Sequence, residues 1–90
     1  MLNGFKDFMD SELRLSENSI NSYYSDVKLY EKYYNLSYTE KFSKLVYIDV
    51  ALYKQNLLNK GLSPKTINRK LSAILIYNEF LIKEGIQDSI

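Results

Sequence analysis

The sequence predicts an all-helical fold, a compact four-helix bundle, on three observations. Apolar residues recur at intervals of three and four along most of the chain, the spacing of a helix face. Only three glycines and one proline occur in 90 residues, fewer than long sheets joined by tight turns would need. Apolar residues make up 46% of the chain and charged residues 26%, a balance that favours folding over disorder. Ninety residues suffice for one core and one domain.

The first helix is expected within Leu2 to Leu13, where Leu2, Phe5, Phe8 or Met9, and Leu13 form one stripe. The second runs from about Ser16 to Tyr34, with Ile20, Tyr23, Tyr24, Val27, Tyr30 and Tyr34 on its apolar side. Residues 35–44 are polar and irregular and read as a connecting loop, with Leu36, Tyr38 and Phe42 as candidate anchors. The third helix spans Tyr47 to Asn59, with Val50, Tyr53, Leu57 and Leu58 facing inward. Gly61 ends it, because glycine tolerates the left-handed conformation past a helix C-terminus. The fourth runs from Pro64 to about Lys83 on an apolar face of Ile67, Leu71, Ile74, Leu75, Leu81 and Ile82, and Gly85 closes it. Amphipathic helices with short connections bury their stripes against one another. Nine tyrosines and four phenylalanines could stack nucleic-acid bases. Their helical spacing instead places them in the core or at its edge.

Composition excludes several chemistries. With no cysteine, the chain has no disulfide framework, thiolate metal site or cysteine nucleophile, which agrees with a reducing cytoplasm. No apolar run approaches the ~20 residues of a membrane span, and no signal peptide pattern opens the chain. A soluble, cytoplasmic protein without membrane contact is expected. Asp7, Asp10 and Glu12 cluster but lack histidine or cysteine partners, so neither a metal site nor a cofactor is expected.

The formal net charge of +1 conceals an uneven distribution. Residues 1–49 carry six basic and eight acidic side chains, whereas residues 50–78 carry Lys54, Lys60, Lys65, Arg69 and Lys70 with no acid. Such an unopposed basic stretch suits part of a nucleic-acid face, or an ordinary solvated surface. Two helix starts share one pattern. Leu15-Ser16-Glu17-Asn18-Ser19-Ile20-Asn21 and Leu62-Ser63-Pro64-Lys65-Thr66-Ile67-Asn68 both read L-S-x-x-[ST]-I-N. Each serine is a good N-cap, and Pro64 at the first helical position loses no hydrogen bond. A helix N-terminus offers free amides and partial positive charge to a phosphate. Lys65, Arg69 and Lys70 add full charges beside the second start.

These segments also resemble a known family. Glu12 to Tyr23, followed by Asp26-Val27, is similar to the E-x-x-L-S-x-x-T-x-x-x-Y-x-x-D-L opening of the N-terminal core-binding domain of phage integrases and Xer-type tyrosine recombinases. Asn59 to Ile74 is similar to that family's G-L-S-x-x-T-I-N-R-x-L-S-A-L/I block, and Tyr77-Asn78-Glu79-Phe80-Leu81 with Gly85-Ile86 continues it. The resemblance implies a SAM-like, four- to five-helix orthogonal bundle that clamps duplex DNA for site-specific recombination and DNA integration. It implies contacts from Asn18, Ser19 and Ser22 on the second helix, and from Ser63, Lys65, Thr66, Asn68 and Arg69 on the fourth, with Lys70 adding charge. The implied partners are double-stranded DNA, the recombinase's own catalytic domain, and further copies assembled on DNA. The chain departs from the pattern at Val46, where a Thr or Ser cap is usual. Its second helix carries Asp26 and Glu31 with little positive charge, so its DNA contacts would have to be neutral hydrogen bonds.

The family's catalysis needs a tyrosine nucleophile with arginines, lysine and histidines. This chain has no histidine and only Arg14 and Arg69. It therefore reads as a non-enzymatic domain, either a fragment of a longer recombinase without its catalytic domain or a stand-alone remnant. Two alternatives stand beside this reading. One is a helix-turn-helix regulator with Leu62 to Asn68 opening its recognition helix, and the other a helical protein–protein adaptor without DNA binding.

Overall fold

A computed structural model describes residues 2, 4–37 and 45–87. Its described residues form four helices: α1 (Phe5–Ser11), α2 (Glu17–Ser37), α3 (Tyr47–Asn59) and α4 (Pro64–Lys83). The Cα radius of gyration, 12.7 Å, is close to the ~12 Å of a packed chain of this length. The all-α bundle is the predicted one, and α3 and α4 keep the expected limits. Two expectations change. α2 continues through Ser37, so Asn35 and Leu36 belong to a helix and not to a loop, and Leu36 is 80% exposed and anchors nothing. Tyr38 and Phe42 lie outside the described residues.

The most extensive helix packing is between α2 and α4, with α1 and α3 added at their flanks. The core has two aromatic centres. Phe5 of α1 meets Tyr77 of α4 edge-on at 5.0 Å between ring centroids, with Phe8 and Phe80 completing the group. Tyr30 of α2 meets Tyr53 of α3 edge-on at 4.9 Å, and Tyr33 packs on the same ring. Edge-on contact sets the positive ring edge against the negative ring face. Most aromatics thus serve the core or its margin, whereas Tyr47 stays largely in solvent. Three expected core positions are also exposed, namely Leu58, Leu75 and Ile82. Helical periodicity defines a stripe but not how wide a band the neighbouring helices cover.

The helix ends follow their chemistry. Gly61 and Gly85 have φ of 76° and 71°. Past α4, the Ile86 N–H donates to Leu81 O at 2.9 Å and the Gly85 N–H to Ile82 O at 3.0 Å, the pairing of a Schellman motif. Val46 precedes α3 without a side-chain cap bond, so that start lacks one stabilising contact. The segment is tied down elsewhere, since the buried Leu45 N–H donates to Gln87 Oε1 at 2.9 Å.

Two stability outcomes follow. Phe5→Ala empties a fully buried aromatic site and is expected to lower the unfolding free energy by about 3–5 kcal/mol in urea denaturation. Ser63→Ala removes the α4 cap bond, and a loss of about 0.5–2 kcal/mol is expected in the same measurement.

Candidate nucleic-acid interface

The twin helix starts adopt the same local structure. In α2, Ser16 Oγ accepts the Ser19 N–H at 3.2 Å and donates to Ser19 Oγ at 3.1 Å. In α4, Ser63 Oγ accepts the Thr66 N–H at 3.2 Å and donates to Thr66 Oγ1 at 3.0 Å. The repeated L-S-x-x-[ST] pattern is therefore a repeated cap, in which the hydroxyl three residues after the capping serine is held at the helix mouth. In α4, Pro64 has no N–H to offer and Thr66 is capped. That leaves the Lys65 amide as a first-turn donor the helix cannot satisfy internally.

The two mouths differ in charge. α4 has no acid in its first turn, whereas α2 begins with Glu17. On one side of the α2 start, Asp7, Asp10 and Glu17 line a depression with Lys6, Leu15, Ile20 and Asn21, an acidic rim. On the other side, Asn18, Ser19, Ser22 and Tyr23 line a shallow depression of about 190 Å³ together with Arg69. Tertiary packing thus brings three expected α2 residues to Arg69, one of the expected α4 contacts. Ser63, Lys65 and Asn68 are exposed and Thr66 is half-buried, so all remain at the surface.

Lys70 does not. It is 8% exposed, and its Nζ lies 3.2 Å from Asp26 Oδ1. Asp26, itself only 2% exposed, also receives Arg69 through two bonds. Arg69 Nε donates to Oδ2 and Nη2 to Oδ1, both at 3.0 Å. The carboxylate raises the Arg69 pKa above its ordinary value, first by hydrogen bonding and then by charge attraction. The sequence alone presents Lys70 as added surface charge, and Asp26 as a match to the family pattern that leaves the second helix short of positive charge. Their pairing spans 44 positions, so local pattern could not reveal it. One signal was present: Asn18, Ser22 and Asp26 recur every four residues, on one stripe of α2.

Two buried tyrosine hydroxyls, those of Tyr53 and Tyr77, are shifted away from attack on phosphate. Burial pushes the Tyr53 hydroxyl up to about 12, with the charges of Asp26 and Tyr33 adding to it. Burial likewise raises Tyr77, with Glu31 contributing. A tyrosine nucleophile acts through its deprotonated oxygen, which both shifts disfavour. Among the described residues, no histidine, cysteine or acidic cluster could hold a metal ion, and Glu12 is paired with Lys83. No described helix is long and apolar enough to cross a membrane.

Comparison with known proteins identifies the family. Residues 2–85 match the phage integrase N-terminal SAM-like domain, and the chain belongs to that family. It is 36% identical over 84 residues to the TnP I resolvase of Bacillus thuringiensis, covering 92% of this chain and 29% of that protein. It is 28% identical over 82 residues to the tyrosine recombinase XerC of Listeria monocytogenes serotype 4a (strain HCC23), covering 91% and 27%. Against the XerC of Bacillus subtilis (strain 168), identity is 26% over 80 residues, covering 89% and 26%. The chain therefore spans between a quarter and a third of the length of these relatives. No solved structure gives a significant match.

The raised tyrosine pKa has a pH consequence. Above pH 10 an unfolded Tyr53 ionises while the folded one keeps its proton to about 12. The unfolded state then binds fewer protons, so stability is complete below about pH 10 and falls as pH rises towards 12. The urea midpoint is expected to drop over that interval, and Tyr53→Phe should lessen the drop.

Proposed function

We propose that this chain is a duplex-DNA-binding module of a site-specific tyrosine recombinase, with no part in the chemical step. The observation that carries the reading is the meeting of Asn18, Ser19, Ser22 and Tyr23 with Arg69 at one depression. It joins a capped helix mouth, neutral hydroxyl and amide donors, and a guanidinium into one phosphate-sized surface. The contacts are assigned to Lys65, Thr66 and Arg69 first, then Ser63 and Asn68, and then Asn18, Ser19 and Ser22. Lys70 is left out, because its ammonium is buried on Asp26.

The family membership and the names of the relatives, a resolvase and tyrosine recombinases, support recombination as the setting, with a catalytic domain and further DNA-bound copies as partners. Clamping of DNA near the recombination site, for integration among other outcomes, is the role such a module would perform. The helix-turn-helix alternative is weakened by the length of α4, 20 residues, which is buried at intervals well beyond its start. The adaptor alternative is the one that leaves DNA affinity absent.

Fluorescence anisotropy with a labelled duplex tests the proposal. Binding is expected at low salt and should weaken steeply as salt rises, through counterion release. Lys65→Ala, at an exposed position, should weaken binding to all sequences and reduce the salt slope by about 0.9, the share of one phosphate contact. Absence of binding at low salt would leave the adaptor reading.

A further inference from the structure

We infer that Asp26 is a positioning residue for DNA recognition, one that fixes the Arg69 guanidinium over the start of α2 while Lys70 neutralises the carboxylate from below. The inference rests on the DNA-binding reading and goes beyond it, since Asp26 and Lys70 themselves touch no DNA.

The geometry argues this in three steps. First, Asn18, Ser22 and Asp26 share one stripe of α2. Asn18 and Ser22 line the depression with Arg69, and Asp26 is buried beneath α4. Second, Arg69 binds Asp26 with Nε and one N–H of Nη2. A guanidinium has five N–H donors, so three are left, and the side chain is 47% exposed. A free arginine would lose rotamer freedom on binding a phosphate. This one is already held, which lowers that cost. Third, a buried carboxylate beneath a DNA-facing arginine would by itself cancel its charge. Lys70 Nζ at 3.2 Å from the same Oδ1 supplies a second cation, so the three side chains together remain at +1. The positive charge stays at the rim, where a phosphate would meet it.

The test is a double variant, Asp26→Leu with Lys70→Met. It removes one buried negative and one buried positive charge together, so net charge is unchanged and no buried ion is left unpaired. If these residues serve only folding, the folded double variant binds duplex DNA like the parent. If Asp26 positions Arg69, affinity falls about three- to tenfold with the surface lysines intact. Circular dichroism melting establishes that the protein is folded at the assay temperature. Should the double variant melt too low, Asp26→Asn with Lys70→Met keeps one acceptor under the guanidinium and allows the same comparison with a smaller loss.

Arg69→Ala, made in the parent and in the double variant, completes the cycle. Positioning predicts a clear loss of affinity in the parent and a smaller one in the double variant. Equal losses in both backgrounds overturn the role of Asp26 but leave Arg69 as a DNA contact. If Arg69→Ala has no effect in a parent that binds DNA, the contact itself is misassigned and the inference falls with it. A parent that binds no DNA at low salt defeats the underlying reading first.

Discussion

The carboxylate of Asp26 is the point on which this structure turns. It lies 2% exposed on α2 and takes hydrogen bonds from two consecutive residues of α4. An isolated carboxylate in that environment would be strongly disfavoured, and only close cations with good geometry make its burial tolerable. The pairing therefore constrains α4 to one rotation and one axial position against α2. Apolar packing alone is less selective, because Ile67, Ile74 and Leu81 could satisfy a neighbouring helix in more than one register.

Around that constraint the two aromatic centres join the shorter helices to the α2–α4 pair. Phe5, Tyr77 and Phe80 attach the short α1 to α4, and Tyr30, Tyr33 and Tyr53 attach α3 to α2. A seven-residue helix has little stability of its own, so α1 exists through these contacts and its salt bridge from Glu12 to Lys83. The arrangement leaves the α2–α4 pair, which has the most extensive helix packing, as the centre of the bundle. That pair also carries the candidate DNA surface, and binding elements on a rigid support are held closer to working geometry than those on loops.

Charge divides that surface more finely than the sequence totals imply. Five cations without an acid over residues 50–78 suit part of a nucleic-acid face or an ordinary solvated surface. Folding removes Lys70 from it and ties Arg69 to an acid 43 positions away. At the α2 start, the acids Asp7, Asp10 and Glu17 occupy one rim and Arg69 the other. On the proposed DNA-binding reading, this split would admit a phosphate backbone on one side of the helix mouth and repel it on the other, orienting a duplex relative to the bundle.

The bundle and its helix ends were legible in the sequence because they depend on local rules. The apolar spacing of 3.6 residues, the serine caps at Ser16 and Ser63, and the glycines after α3 and α4 each act within a few residues. The limits of α3 and α4 could be read directly for that reason. The end of α2 was misread because its last turns, through Asn35 and Leu36, are polar or exposed and carry no core-facing signal. The repeated L-S-x-x-[ST]-I-N starts likewise identified the two helix mouths. What only the tertiary structure decided is which charges remain available at those mouths. The fate of Arg69 and Lys70 depends on the approach of Asp26 from a helix more than 40 positions away, and charge pairing across that separation is set by how helices pack, not by their own periodicity.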